Sequence, residues 1–416
     1  MTTGTKRFLY IVPRFPNTST TFIANEINVL IQAGIDVQIA AIRGPQRGVV
    51  PHHIEEGLLP RMVDIAWGSP ISLRWVIGNL LRPNVLLLLL KLIVSHLCSP
   101  FTLGKMILSV PKALFLAGWC KANQIDHIHA HFLTIATTTA LIASTASDIP
   151  YSATAHAFDI FAQDLRRRNC AVPLKCQRAT VCVMIDQFNR DFVLRRWPEL
   201  SEEAHLAVIH NGVDTAFFKP VPRTPPVDKK RAWRLLSVGR FEAKKGFDIL
   251  IQGVADLRRQ GYNVELDIVG YGGLEDSLRR LVTGQGLDEV IRFPGKLRQE
   301  DLLHYYQRAD IFALASRRDA HGDMDGLPTV LIEALAMELP TVSTRISGIP
   351  EIIRDGETGL CVPPGDVPAL RDAIEWCILN YAEACRLARQ GRELVCQEFD
   401  SQINVRRLID LWYASD

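Results

Sequence analysis

The chain has 416 residues, 48% hydrophobic and 22% charged, which suits a folded globular protein too long for one hydrophobic core. Its formal net charge is only +2, so nothing in the charge balance calls for nucleic acid as a partner. The nine cysteines form no C-x-x-C pair and no metal-ligand spacing, and they read as reduced thiols of a cytosolic protein.

At the N-terminus, RFLYIVP is a β-branched and aromatic run closed by Pro13 and Arg14, too short for a signal peptide and suited to a first strand. A helix-like TFIANEINVLIQAG follows, with Gly34 as its stop, and then a second strand, IDVQIAAIR. DHIHAHF, YSATAHAF, ATVCVMI and LAVIHNGVD continue the short buried strands to about residue 214. Strands alternating with helices imply an α/β fold with parallel, doubly wound sheets. KPVPRTPPVDKK, rich in proline and lysine, reads as a linker. A second alternating set begins at RLLSVGR and runs through VELDIVG, VIRFPG, DIFALAS, PTVST and GLCVPP. The expected domains are therefore residues 1–214, residues 215–400 and a helical tail at 401–416.

Between Ile65 and Ile125 there is no acidic residue, while Arg74, Arg82, Lys91, Lys105, Lys112 and Lys121 accompany Trp67, Trp75, Trp119 and the run NVLLLLLKLIVSHL. Lys91 interrupts that run, which is too short to span a bilayer. Leucine, tryptophan and basic residues together suit an anionic membrane surface; a leucine-rich helix pair in the core is the alternative.

Several stretches carry chemistry. DGLPTVLIEALA, from Asp325 to Ala336, places Gly326, Leu327 and Pro328 before a helix whose first N–H groups make an anion site. An acid on each side suits a ligand with hydroxyls at both ends of its phosphates: Asp325 for a sugar, the backbone from Leu327 to Thr329 and Val330 for phosphate, Glu333 for a ribose. Alternatively Asp325 caps the helix and Glu333 is solvated. SVGRFEAKKGFDIL sets Arg240 and Lys245 around a strand-to-helix bend, where two cations can clamp a diphosphate and stabilise it as a leaving group, with Lys244 as a solvated neighbour. Gly270 and Gly272 form a glycine-rich turn after a strand. His127, His129 and His131 share one strand face, and H-x-H also occurs at metal sites. Asp323 and Asp325 form an Asp-x-Asp pair of the kind that can bind a divalent metal. His156 stands at a strand's C-terminal end, where open parallel sheets hold their ligands.

With HNGVD, SVGRFEAKKG, IVGYGG, DGLPTVLIEALA, SGIPEII and GETGLCVPPGD in this order, nearly the whole chain resembles the retaining glycosyltransferases of family 4, with the GT-B fold. PRFPNTSTTFIANEI, HIHAHF and TAHAFDIF are similar to the colanic-acid-type exopolysaccharide branch. The resemblance implies two Rossmann-like domains facing each other across a cleft, with the last helix crossing back to the first domain. It implies a UDP- or GDP-sugar donor and no required metal. Arg240 and Lys245 then hold the donor diphosphate, Asp325 the sugar hydroxyls and Glu333 the ribose, with Gly270, Gly272 and the backbone from Gly326 to Val330 lining the donor. His156 lies by the transferring sugar, and His156, Asp325, Arg240 and Lys245 form the catalytic set. Arg14, Thr20 and His131 are the acceptor-side residues. Where the family usually has Glu, this chain has Asp325, one methylene shorter. A lipid-linked glycan acceptor at the inner face of the cytoplasmic membrane is expected. A soluble small-molecule acceptor, a nucleotide-sugar epimerase or phosphorylase of the same fold, a catalytically silent nucleotide-sugar-binding protein and a metal-dependent hydrolase are the other readings.

Overall fold

The computed structural model describes residues 6–16, 21–44, 53–65, 70–161, 169–225 and 231–414. The chain divides into two compact units, residues 1–210 with 405–416, and residues 211–404. The division precedes the proline-rich stretch expected to be the linker. Its Arg223 is tied to the second unit, donating to the carbonyls of Tyr306, Glu338 and Met337 at 3.0–3.1 Å and also to that of Ala309.

The first unit holds a parallel six-stranded sheet, β1 (Arg7–Arg14), β2 (Asp36–Arg43), β3 (His127–His131), β4 (Tyr151–Ala155), β5 (Cys182–Met184) and β6 (Leu206–Val208), in the order β2-β1-β3-β4-β5-β6. Alternation along β1 separates two cores. Leu9 and Ile11 join one; Phe8, Tyr10 and Val12 join the other. The second core is covered by helix α1 (Thr21–Gln32), through Ile23, Ile27 and Leu30, and by the tail. There Trp412 meets Phe8 at a ring distance of 4.8 Å and donates to Ser152 Oγ at 2.9 Å.

The acid-free segment folds as three helices, α2 (Pro70–Leu80), α3 (Pro83–His96) and α4 (Pro100–Ala122). Part of the segment packs as the core reading expects. Val85, Leu88 and Leu92 of α3 and Ala113, Leu114 and Ala117 of α4 enter the first core. The Trp75 ring seats α2 on α4 at Gly118, where an added Cβ would lie 2.4 Å from it. The other face is bare: thirteen large hydrophobic side chains between Leu73 and Leu108 are exposed, against four elsewhere among the described residues. Among the described residues α4 is long and apolar enough to cross a membrane, as are α2 and α3 if taken together across their 83° bend, yet the second half of α4 is built into the core.

The second unit repeats the plan with β7 (Trp233–Val238), β8 (Val264–Val269), β9 (Ile291–Gly295), β10 (Ile311–Leu314), β11 (Thr341–Thr344) and β12 (Leu360–Val362), all parallel, in the order β12-β11-β10-β7-β8-β9. Strand order reverses between β7 and β10. Open parallel sheets bind ligands in the crevice beyond the strand ends at such a point. In the first unit the reversal falls between β1 and β3.

Candidate functional site

The loops leaving β7 and β10 meet at the reversal in the second unit. After β7 the chain makes a single 3-10 turn, Ala243–Lys245, closed by Gly246 at φ +63°. Glycine is required there, because a Cβ would come 1.9 Å from the Ala315 carbonyl oxygen. The loops are zipped further by Arg317, whose backbone N–H donates to Lys244 O at 2.8 Å and whose Nε donates to Ala243 O at 3.0 Å.

This turn sends both lysines inward. Lys245 Nζ lies 2.8 Å from Asp325 Oδ2, and Ser316 Oγ donates to the same oxygen at 3.1 Å. Lys244, read from sequence as a solvated neighbour, is buried; its Nζ lies 3.1 Å from Asp323 Oδ2 and 3.9 Å from Asp325 Oδ1. Burial favours the neutral form of Asp325, but the charges of Lys245 and Lys244 and the hydrogen bonds from Lys245 and Ser316 outweigh it and hold its pKa below the usual value. Asp325 therefore does not cap the following helix. Lysines neutralise both acids of the Asp-x-Asp pair, which opposes a divalent cation there.

Helix α5 (Thr329–Ala336) begins one residue later than Pro328 at its first turn would require; Pro328 is the N-cap residue, and no side chain caps the helix. Its N-terminal N–H groups thus keep the partial positive charge that attracts anions. Gly326, just ahead, accepts a backbone hydrogen bond from Gly348 at 3.2 Å. Glu333 is half-buried rather than fully solvated, and burial pushes its carboxyl up to about 7 despite a hydrogen bond from Tyr306 Oη at 2.8 Å. Tyr306 is the residue sequence reasoning missed here; nothing in HYYQRAD marks which tyrosine turns inward.

Arg240 is placed apart from this cluster. It pairs with Glu242 at 2.6 Å and keeps 45% of its side chain exposed. Gly270 and Gly272 serve close packing: a Cβ on Gly270 would come 1.9 Å from Gly239 O, and one on Gly272 2.7 Å from Phe241 N. They let the loop after β8 lie against the loop after β7.

In the first unit, Arg14 ends β1, His131 ends β3 and His156 follows β4, so all three stand at the C-terminal edge of one parallel sheet. Thr20 lies outside the described residues. His131 is fully buried with both ring nitrogens engaged: Nδ1 is 3.2 Å from His156 Nε2, and Nε2 is 3.2 Å from Glu26 Oε1. It therefore stands behind His156 and has no free nitrogen for an acceptor. Burial, and then the nearby His131, hold the His156 pKa well below the ordinary histidine value. Glu26, His129 and His131 bring ligand atoms within 4.8 Å of one another. His129, however, already bonds Ser152 Oγ at 2.7 Å and Thr154 Oγ1 at 3.1 Å.

Two buried groups fix the loops behind this edge. Asp159 accepts the backbone N–H groups of His156 at 2.8 Å and Leu133 at 2.5 Å. Lys175 Nζ donates to Leu133 O at 2.7 Å, Thr134 O at 3.2 Å and Asn169 Oδ1 at 2.9 Å. Burial raises the Asp159 carboxyl to about 7 and lowers the Lys175 ammonium to about 8.

Comparison with known proteins agrees with this two-unit plan. The profile of Glycosyltransferase Family 4 matches residues 19–217, and that of Glycosyl transferases group 1 matches residues 223–394. The amylovoran biosynthesis glycosyltransferase AmsK of Erwinia amylovora is 36% identical over 178 residues, 43% of this chain and 44% of that protein. WcaL of Escherichia coli K12, designated a colanic acid biosynthesis glycosyltransferase, is 34% identical over 210 residues, 50% of this chain and 51% of that protein. The chain thus matches about half the length of these curated relatives. A glycosyltransferase from Rickettsia africae superimposes with a TM-score of 0.72 at 17% identity, covering 99% of each chain. Anabaena HepE, solved in complex with UDP, gives 0.72 at 18% identity, covering 99% of this chain and 100% of its own. These likenesses establish the GT-B fold.

Proposed function

We propose, for a chain that belongs to the glycosyltransferases joining a family 4 domain to a group 1 domain, that it moves a sugar from a nucleoside-diphosphate-sugar to a hydroxyl of a glycan acceptor with retention of configuration. The observation that carries this reading is the uncapped N-terminus of α5, with Asp325 ahead of it and Glu333 one turn inside. A diphosphate fits the helix end, a ribose diol fits the Glu333 carboxylate, and the sugar hydroxyls fit Asp325.

In the reaction the acceptor oxygen bonds to the anomeric carbon as that carbon's bond to the phosphate oxygen breaks. Attack comes from the face the diphosphate leaves, and the departing phosphate oxygen takes the acceptor proton. The developing charge falls to the α5 end and to Lys245, with Arg240 reaching the diphosphate by turning from Glu242. Donor binding shifts Lys245 from Asp325 toward phosphate and frees the carboxylate for sugar hydroxyls. These groups supply the stabilisation a metal would otherwise give, so the reaction needs a UDP- or GDP-sugar and no cofactor.

For the acceptor we favour a lipid-linked oligosaccharide in exopolysaccharide assembly at the inner face of the cytoplasmic membrane. The names of the AmsK and WcaL relatives support the pathway class. The bare leucine-rich face of α2, α3 and α4, with Arg74 and Lys91 exposed and no acid in the segment, supports an anionic bilayer as its partner. The deciding experiment is calorimetric titration with UDP- and GDP-sugars in the presence of a chelator, followed by NMR of the product's anomeric centre. Binding of one donor, metal-independent and lost in Lys245→Ala, with a retained anomer, supports the reading. No binding of any nucleotide-sugar, or an inverted product, overturns it.

A further inference from the structure

Behind His156 lies a chain of polar groups, buried but for the half-buried Glu26 at its end, that the transfer reaction as described does not use. His156 Nε2 faces His131 Nδ1 at 3.2 Å, and His131 Nε2 faces Glu26 Oε1 at 3.2 Å. Tyr10 Oη donates to that same carboxylate oxygen at 2.8 Å. The parts are well held. The two imidazoles stack, with ring centroids 5.5 Å apart and planes 23° from parallel, and Phe22 and Phe132 pack on His156 at 4.9 and 4.4 Å. Asp159 anchors the His156 backbone from below.

We propose that Glu26, acting through His131, is a positioning residue that fixes His156 in one tautomer, with the proton on Nε2 and a bare lone pair on Nδ1. The logic runs outward from the carboxylate. An ionised carboxylate can only accept, so His131 Nε2 must carry a proton. With that single proton on its ring, His131 has a bare Nδ1, which must accept, so the proton between the two rings belongs to His156 Nε2; a doubly protonated His131 would reverse this bond. Burial keeps His156 neutral, so its remaining nitrogen, Nδ1, is an acceptor. Nδ1 has no partner among the described residues. His156 thus offers a fixed acceptor to a sugar hydroxyl docking at the C-terminal edge of this sheet. Without the dyad, the imidazole could present an N–H there, which a hydroxyl would meet with its oxygen, reversing the hydrogen bond.

The role for a sugar hydroxyl rests on the glycosyltransferase reading; the tautomer does not. The test separates them. Protein labelled with nitrogen-15 in histidine reports the protonation of each ring nitrogen through two-bond couplings, and a His156→Gln variant identifies the His156 signals. The expected spectrum has Nε2 of His156 protonated and Nδ1 bare. Glu26→Leu removes the terminal acceptor and is expected to move the His156 proton to Nδ1. Glu26→Gln keeps an acceptor oxygen and is expected to restore the native pattern. His131→Phe, which removes the acceptor for Nε2, is a second route to the same loss. In transfer assays, Glu26→Leu is expected to raise KM about tenfold, the scale of one hydrogen bond, for the substrate whose sugar hydroxyl meets His156 Nδ1. A wild-type spectrum with Nδ1 protonated overturns the proposal. So does stoichiometric Zn2+ binding that is lost in Glu26→Leu, because it would make Glu26, His129 and His131 a metal site instead. If no donor supports transfer at all, the glycosyltransferase reading fails and the spectra still decide the tautomer.

Discussion

Lys245 and Asp325 form an ion pair of 2.8 Å in which each side chain keeps only 11% of its exposure. Removing one member strands the other. In Lys245→Ala the Asp325 carboxylate keeps Lys244 only at 3.9 Å and Ser316 at 3.1 Å. A buried pair broken on one side costs about 3–5 kcal/mol, much of it the desolvated charge left behind. Lys245→Ala is therefore expected to lose about 3 kcal/mol in urea denaturation, and Lys245→Met with Asp325→Leu to recover most of that while losing donor binding. Equal stability of the single and double variants would show that the pair is not held as described.

The same pair sets an acid limb. The Asp325 pKa is depressed in the folded state, so its contribution is present above the unfolded carboxylate value of 3.8 and is lost as pH falls through the lower folded value. Asp325→Asn is expected to flatten the stability profile below about pH 4 relative to wild type, as read from melting temperature across acidic buffers.

Glu333 predicts the opposite slope near neutrality. Burial raises its carboxyl from 4.5 to about 7, so the folded chain holds a proton that the unfolded chain has lost. Stability from this group is full below about pH 4.5 and falls as pH rises through about 7, by about 1–3 kcal/mol for a half-buried group. Donor binding runs the other way, because two ribose hydroxyls need the ionised carboxylate as acceptor. Between pH 6 and 8 nucleotide-sugar affinity is expected to rise several-fold, and Glu333→Gln to remove both slopes. A donor affinity that stays flat across this range in wild type would remove Glu333 from the ribose site.

Much of this arrangement was legible before any coordinates. Strand alternation announced both parallel sheets, and the apolar residues around Glu333 announced a helix with most of its side chains buried. The rest depended on partners that side-chain patterns do not display. Lys244 and Lys245 look interchangeable in sequence; the tight turn sends one to Asp323 and the other to Asp325. His131 reads as a ligand at a strand end, but its surroundings come from Glu26 on α1 and His156 after β4. The proline-rich stretch reads as a linker, while Arg223 within it finds main-chain carbonyls, which leave no mark in a sequence. Helices Val367–Leu379 and Tyr381–Glu398 went unread, although Leu387, Ala388, Leu394 and Val395 carry the spacing that could have found the second.

The leucine face of α3 gives a prediction independent of the sugar chemistry. Leu87, Leu90 and Val94 are 55%, 58% and 59% exposed, so replacing all three with serine removes little packing. Folding stability is expected to change by no more than about 0.5 kcal/mol per site. Sedimentation with phosphatidylglycerol vesicles is expected to weaken at least tenfold, since each side chain carries about 1.5 kcal/mol or more of burial. Wild-type binding should also weaken with salt and be poorer on phosphatidylcholine, because Arg74 and Lys91 add the electrostatic part. Equal pelleting of wild type and triple variant would remove the bilayer as the partner of this face.

Gly246 tests whether the two loops must touch for the lysines to reach their acids. It sits at φ +63°, and a Cβ there would come 1.9 Å from the Ala315 carbonyl oxygen, so Gly246→Ala must push the loops apart as well as strain the backbone. Gly34 supplies the control: its φ is +89°, but a Cβ there would meet nothing within 4 Å, leaving conformational strain alone. Gly34→Ala is expected to cost about 1 kcal/mol and leave donor affinity unchanged. Gly246→Ala is expected to cost about 2 kcal/mol or more and to weaken donor binding as well, because Lys244 and Lys245 immediately precede it and move with the turn. Matching stability losses in the two variants, with donor affinity intact in both, would mean that the lysines reach their acids without the close approach of Gly246 to Ala315.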